Sequence, residues 1–509
     1  MSLLSLVFTL SAHVLGSLLF VLFVAFLGYC AYLQYVHLKY DHIPGPPRES
    51  FFFGHSLIVW RTMKNDDLTH DVFLKWAERY GSVYKINVLH HVLIFVSSPE
   101  TIKEVLMSSK YTKDMFLHKR LFSMFGQRFL GNGLVTARDY DQWHKQRRII
   151  EPAFSSLYLR SLMGTFNEQA EKLMTKLADI ADKKSEARML ELVNRVTLGV
   201  IVKVAFGMDI ELLENASSPF PDAIETCLKG MVHNIRNALF QFDPRNWAFV
   251  EEVRAACKLL RSTGAEWIRD RKSAVQSGGD VPKDILTQII KSAGKEERMT
   301  KEDEEFMLDN FVTFFIAGQE TTANQLAFCI MELARHPDMQ EKAQKEVDDV
   351  IGMKREISYD DLGQLVYLSQ VLKETLRIYP TAPGTSRDFV DDIVIDDIHV
   401  PAGAICILSS YVSSRLERFF KNPLEFNPDR FHPDAPKPYY CYFPFSLGPR
   451  SCVGKNFAQM EAKLVMAKLL QRFDFALTPG QSFEIRDVGT LRPKGGVVCA
   501  VAHRKHCGP

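Results

Sequence analysis

The sequence predicts a mainly α-helical body with minor β regions, preceded by one N-terminal transmembrane helix. Three observations carry this. No Asp, Glu, Lys or Arg occurs from Leu3 to Leu38. Beyond that run, apolar residues recur at helical spacing, while strand-like alternation is confined to a few short stretches. Length alone would favour about three domains for 509 residues, but no Gly/Ser linker, repeat or low-complexity tract divides the chain after Ser50, so one large body is expected. The predicted organisation is a membrane anchor over residues 1–38, a Pro-rich connector over 39–50 and a single body over 51–509.

The stretch VLGSLLFVLFVAFLGYCAYLQYV, Val14 to Val36, is long enough to cross a bilayer core as one helix. A cleaved signal peptide would have a basic start and a shorter apolar core, whereas no Lys or Arg precedes Lys39; the segment is expected to stay attached. Lys39 and Arg48 follow the span, which places the body on the cytosolic side. The sequon Asn215-Ala216-Ser217 should then go unglycosylated. Next comes HIPGPPRESFFFGH, where Pro44, Pro46 and Pro47 fix φ and remove amide donors, giving a stiff extended connector.

Within the body, Phe73, Trp76, Ala77 and Tyr80 share one helical face, and SPETIKEVLMSS reads as a serine cap followed by proline in the first turn. SVYKINV with HVLIFVS, and DIVIDDIHV with GAICILS, read as two small hairpin-like sheet regions. The 62 basic and 61 acidic residues nearly cancel and no basic stripe appears, so nothing points to a nucleic-acid partner. Nine scattered cysteines without a CxxC pair give no structural zinc pattern and indicate a reducing compartment.

Four constellations carry chemistry. In FFIAGQETTANQLAF, inside a helix predicted to begin near Glu304, Ala317 and Thr321 lie one turn apart with Gly318 beside them, leaving room for a small ligand. Glu320 and Thr321 set an acid beside a hydroxyl, the parts needed to pass protons; equally, the threonine could bond back to its own backbone. In QVLKETLRIYP, Glu374 and Arg377 are spaced to pair across one turn, and the importance of the pair depends on burial. FNPDRF presents Arg430, which could give Glu374 a second guanidinium partner. Last, FPFSLGPRSCVG holds Cys452 between Gly448 and Gly454, with Arg450 two residues before it and a helix predicted from about Lys455. Free amides and a positive helix end favour a thiolate there, and such a loop, flanked by Phe445, is suited to a flat metal macrocycle whose anionic rim Arg450 would reach. Cys441 lacks these supports and is usually what a lone cysteine is, a small buried apolar residue.

Together these motifs resemble the haem-thiolate monooxygenases, the cytochromes P-450, whose signature FxxGxRxCxG is matched in full by Phe445, Gly448, Arg450, Cys452 and Gly454. The resemblance implies that fold, and haem b (iron protoporphyrin IX) with Cys452 as the axial ligand of the iron, a thiolate that favours O–O cleavage. It implies that Ala317, Gly318, Glu320 and Thr321 belong to the oxygen-binding helix, Thr321 steadying dioxygen and helping to deliver protons. Glu374, Arg377 and Arg430 correspond to a structural triad supporting the cysteine loop. Trp143 and Arg147 of WHKQRR match a WxxxR pattern whose members bond haem propionates, and Arg387 is a further propionate candidate. Without the other motifs, WHKQRR would read as a basic helix face.

The stretches YDHIPGPPRESFFFGH, DNFVTFFIAGQETTANQLAF, YLSQVLKETLRIYP and APKPYYCYFPFSLGPRSCVGKNFAQMEAKLVMAKLLQRF are similar to the cholesterol 24-hydroxylase family. That implies oxygen insertion from O2 into the cholesterol side chain at the endoplasmic reticulum membrane. TAPGTSRDF departs from that family by carrying small and polar residues where bulky aromatic pocket walls are expected. Phe116, Phe122 and Phe125 of DMFLHKRLFSMFGQRF are candidates for the pocket wall, although such spacing is more often plain core. No strand-GxGxxG-helix fingerprint occurs, GNGLVT lacking the third glycine, so NADPH should act only through a separate protein. The resemblance implies NADPH–cytochrome P-450 reductase, docking above Cys452 near Lys145, Arg148 and Lys455. Three other readings stay open: a monooxygenase of other steroids, fatty acids or xenobiotics; a haem-dependent isomerase needing no outside electrons, which the Glu320 and Thr321 pair argues against; and a non-catalytic haem or sterol sensor. The tail HRKHCGP reads as a solvated end.

Overall fold

In the computed structural model, residues 3–210, 212–213, 218–237, 239–296 and 300–505 are described. The sequon at Asn215 and the end of the C-terminal tail lie outside the described residues. The chain begins with one 38-residue helix, Leu3–Tyr40. Its Ser11–Tyr40 portion, with mean hydropathy 2.4, is the one helix among the described residues long and apolar enough to cross a membrane. Large apolar side chains from Val14 to Leu27 are exposed along it.

The C-terminal turns of this helix are different, because Leu33, Val36 and Tyr40 are buried against the body. The terminal carbonyl of Tyr40 finds an ammonium donor there, and the lysines bind neighbouring carbonyls as well. Lys85 Nζ donates to Tyr40 O and to Ile43 O, each at 2.9 Å, and Lys39 Nζ donates to Ala402 O at 2.9 Å. This seating carries the helix past the expected boundary at residue 38. The proline connector is also docked: Lys85 N donates to Pro44 O at 2.8 Å, and His55 Nε2 lies 3.0 Å from Pro46 O.

Beyond the connector, the helix Thr69–Tyr80 sets Phe73, Trp76, Ala77 and Tyr80 against Tyr84, Phe95 and Val412, as its spacing predicts. The helix Pro99–Met107 has Pro99 in its first turn, but Ser98 hydrogen-bonds the Glu100 carboxylate and does not cap the backbone. The β regions are arranged differently from the expected two hairpins. Val83–Val88 and His91–Val96 do form an antiparallel pair. Ile405–Ser409, however, joins that sheet, parallel to His91–Val96 and antiparallel to Gly384–Asp388. Its buried residues Ile405, Cys406 and Leu408 need cover on both faces, which an exposed hairpin cannot give. Ile393–Ile395 and Ile398–Val400 are left as a separate hairpin turned through Asp396 and Asp397, both at positive φ.

The core is organised around the helix Lys301–Arg335. It starts ahead of Glu304 because Thr300 and Asp303 form a reciprocal capping box. Among the helices packed on it are Met189–Phe206, Trp247–Gln276, Val366–Ile378 and Lys455–Arg472. Gly318 permits the first contact, since a Cβ there would stand 2.8 Å from Ile201 Cδ1. GNGLVT lies across the same helix, with Asn132 N donating to Asp309 Oδ2 at 2.8 Å and Leu134 N to Asn310 Oδ1 at 2.9 Å.

Candidate functional site

The loop from Phe443 to Gly454 is shaped by two residues at positive φ, Ser446 at 57° and Gly448 at 69°. A Cβ on Gly448 would fall 2.1 Å from Leu106 O, so only glycine fits this approach. Gly454 has an ordinary φ of −84° and stands at the N-terminus of the helix Lys455–Arg472. What its missing Cβ leaves free is the space 3.9 Å from Cys452 Sγ. Cys452 N donates to Phe445 O at 2.9 Å, fixing the loop across the cysteine.

The sulfur is set in a polar field of two signs. The Gly454 amide, Arg147 and Lys455 all favour a thiolate, as expected of amides and a positive helix end. Burial outweighs them, and the Cys452 thiol is pushed up from its ordinary value. Cys441, away from the cavity, is pushed up by burial to about 11.

Cys452 faces a cavity of about 310 Å³, within the usual range of small-molecule and cofactor sites. The opposite wall is the central helix, with Phe314, Ala317, Gly318 and Thr321; Trp143, Arg147, Phe445 and Arg450 close one side. Thr381, Ala382, Gly384 and Thr385 of TAPGTSRDF form another wall. The structure therefore brings most of the sequence-derived residues to one place.

Four cations gather at this cavity. Arg450 donates to Ala137 O at 2.6 Å, and its guanidinium lies 4.5 Å from the Trp143 ring centre. Arg147 donates to Ser451 O at 2.7 Å, but its buried Nε has no partner. Arg387 is buried just behind the wall and donates to Thr385 Oγ1 and Ser386 O. Lys113 donates to the same Thr385 hydroxyl at 3.2 Å. Burial lowers Arg387 and Arg450 to about 10 each, and burial lowers Lys113 well below its ordinary value with help from both arginines. Crowded, partly desolvated cations with an orphaned guanidinium N–H fit an anionic group, and a sulfur across the cavity fits a metal. The donor set thus suits a metal macrocycle with carboxylate arms. Lys113 was missed by sequence reasoning: KYTKDMF matches no motif, and only the fold brings it beside Arg387 and Arg450.

The buried pair is fully formed, with neither Glu374 nor Arg377 exposed. Arg430 Nε reaches Glu374 Oε1 at 3.3 Å, and Asn427 N donates to the same oxygen at 2.9 Å. Arg377 further donates to the carbonyls of Ser414, Pro423 and Glu425. This cluster is tied to the cysteine loop through Tyr442, whose hydroxyl donates to Lys373 O and whose ring packs on Phe431.

Other expectations need correction. Thr321 Oγ1 donates to Ala317 O at 2.7 Å, the back-bonded arrangement that a helix interior favours. Glu320 does not line the cavity; its carboxyl accepts from Asn324 and Thr490, each near 3.2 Å, and burial pushes it up. Phe116, Phe122 and Phe125 do not line the cavity either. Phe116 packs between His91 and Arg120, Phe122 lies under Arg128, and Phe125 stacks on Phe240. Cationic and aromatic neighbours claim these rings. On the outer side of Cys452, Arg148 and Lys455 border a shallow depression with Val453 and Asn456, whereas Lys145 pairs with Asp303.

Comparison with known proteins agrees with this geometry. The chain is similar to cytochrome P450 4d2 of Drosophila melanogaster, 29% identical over 455 residues covering 85% of this chain and 88% of the relative. It is also similar to cytochrome P450 3A29 of Sus scrofa, 29% identical over 461 residues with 87% and 88% covered. To cytochrome P450 3A5 of Homo sapiens it is 27% identical over 442 residues, covering 84% and 86%. The family model for cytochrome P450 matches residues 44–500, from the connector through the cysteine loop to the last strand, and the chain belongs to the cytochrome P450 family.

Proposed function

We propose that the protein is a membrane-anchored haem-thiolate monooxygenase that inserts one oxygen atom of O2 into the side chain of cholesterol. NADPH–cytochrome P-450 reductase would supply the electrons from NADPH. Family membership carries the coarser statement, a monooxygenase using haem iron, O2, a redox partner and a lipophilic substrate. The observation that supports the site is the single cavity in which Cys452 faces Ala317, Gly318 and Thr321.

In this reading Cys452 would hold the iron of haem b through its thiolate, which a cationic metal would stabilise. Arg450, Arg147, Arg387 and Lys113 would hold its propionates, with Trp143 shaping that side. Bound there, the haem supplies the activation of O2. The chain supplies order and protons. Gly448 and the Glu374, Arg377 and Arg430 cluster hold the sulfur in position; the apolar wall excludes water from the reacting region; the Thr321 hydroxyl stands at the cavity surface as a proton carrier. Glu320, whose carboxyl burial pushes up, lies behind it and off the cavity lining.

The cholesterol assignment rests on the similarity of the four quoted stretches to the cholesterol 24-hydroxylase family and on the apolar N-terminal helix, which would place the cavity near the lipid phase of the endoplasmic reticulum. Thr381, Ala382, Gly384 and Thr385 make one wall of small and partly polar residues. The test is turnover of cholesterol by purified protein with reductase and NADPH, the products being identified by mass spectrometry against side-chain hydroxysterol standards. A dominant 24-hydroxy product is expected. Oxidation of other lipids but not cholesterol would keep the monooxygenase and remove the sterol assignment.

A further inference from the structure

A second cavity, of about 300 Å³, shares Gln325 and Leu376 with the cavity at Cys452. Leu362, Leu372, Leu376 and Met460 give it apolar walls, yet two lysines, Lys373 and Lys463, also line it. Lys463 comes from the middle of the helix Lys455–Arg472, and its Nζ donates to Leu362 O at 2.9 Å. Lys373 comes from the helix Val366–Ile378 and is exposed.

Lys463 is poorly supported as a cation. Glu346 is the acid that favours its charge, but that carboxylate already accepts from Tyr367 N and Leu368 N, at 2.6 and 2.8 Å. Of the tyrosines on the lining, Tyr359 packs under Arg160 and Tyr442 donates to Lys373 O. Burial lowers the Lys463 amine to about 8, and the positive charge of Lys373 adds to the effect. An ordinary lysine titrates at about 10.4, so at about pH 7.4 Lys463 offers on the order of 10² times more free amine. A desolvated lysine beside a second cation is the arrangement that makes an amine nucleophilic towards a carbonyl carbon.

We propose that Lys463 is a covalent site for an aldehyde with an apolar body and one anionic group, the carbonyl carbon held as an imine on Nζ and the anion by Lys373. The neutral amine adds to the carbonyl carbon as the C=O π pair moves to oxygen, and a proton passes from nitrogen to that oxygen. Loss of one water then forms the C=N bond. Nothing is oxidised or reduced, and water reverses the step. The protonated imine keeps one N–H, enough to go on donating to Leu362 O. The apolar walls receive the body of the molecule, and its anion relieves the repulsion between the two lysines.

The experiment uses full-length, haem-loaded protein in phospholipid vesicles, with 4-formylbenzoate as the probe and benzaldehyde as its uncharged counterpart. Imines are fixed with borohydride and located by peptide mass spectrometry. At about pH 7.4, 4-formylbenzoate is expected to label Lys463 at least about 10-fold more than the exposed Lys437, a part of the excess in free amine. Lys463 should take up 4-formylbenzoate about 3-fold more than benzaldehyde, the worth of one exposed charge pair, and Lys373→Met should bring the two probes level. Lys463→Arg keeps the positive charge and should lose this label while that on Lys437 stays. In urea, Lys463 and Lys437 of the wild type should label alike. In the folded wild type, labelling of Lys463 no greater than that of Lys437, or equal labelling of Lys463 by the two probes, overturns the proposal.

Discussion

Arg377 holds Glu374 by two parallel hydrogen bonds, Nε to Oε2 and NH2 to Oε1, both 2.8 Å long, with neither side chain exposed to solvent. Removing Glu374 leaves the Arg377 charge buried without its carboxylate, and removing Arg377 leaves Glu374 only the longer contact from Arg430. Glu374→Ala should therefore lose about 3–5 kcal/mol of stability, measured by chemical denaturation. Arg377→Ala should do the same and also free the carbonyls of Ser414, Pro423 and Glu425. A loss below about 1 kcal/mol would mean that the pair behaves like an exposed one.

Cys452 and Cys441 occupy one segment but different surroundings, since Cys452 lines the cavity and Cys441 does not. Cys452→Ala should abolish the thiolate-type spectrum of the reduced carbon monoxide complex, and Cys441→Ala should leave it intact. The reverse result would sink the ligand assignment.

Gly448 combines φ of 69° with a contact that no Cβ can share. Gly448→Ala should cost at least about 1–2 kcal/mol from its backbone conformation alone, with the collision against Leu106 O added. Haem content per protein, read from absorbance, should fall along with the melting temperature. Unchanged haem content would show that the loop tolerates displacement from Leu106.

His118 is buried with Nδ1 2.9 Å from Asp114 Oδ2, and burial lowers its imidazole to about 4. In an unfolded chain it would titrate near 6.5. Between those values the unfolded state binds a proton that the folded state does not, so this stability is present above about pH 6.5 and is lost as pH falls towards 4. The expected loss is about 2 kcal/mol on going from about pH 7 to about pH 5. Urea unfolding of wild type and His118→Gln at both pH values would isolate it, the variant showing a correspondingly shallower decline.

Much of the site was legible because its residues lie in short motifs: Phe445 to Gly454, Ala317 to Thr321, and Glu374 to Arg377. The helices were legible where the apolar period was clear, as in Thr69–Tyr80, or where a proline marked the first turn, as at Pro99. What escaped was set by distant chain segments. Ile405–Ser409 reads like a hairpin partner of its neighbours, yet it pairs with His91–Val96, more than three hundred residues away. Lys113 carries no local signal, and its place at the cavity depends on Thr385 of another strand. Phe116, Phe122 and Phe125 read as a lining because aromatic content does not say which face a ring takes. Glu320 shares a helix with Thr321, and adjacent helical residues point in different directions.

Lys85, bonded to Tyr40 O and Ile43 O and lying 3.3 Å from Asp41 Oδ1, makes the first helix and the sheet a single lever. A tilt of that helix is thus transmitted to the strands beneath it and is not absorbed by a hinge at the prolines. If the helix spans a bilayer, a change in bilayer thickness that alters its tilt would swing the whole body with it, so lipid composition would set how far the cavity stands from the lipid surface.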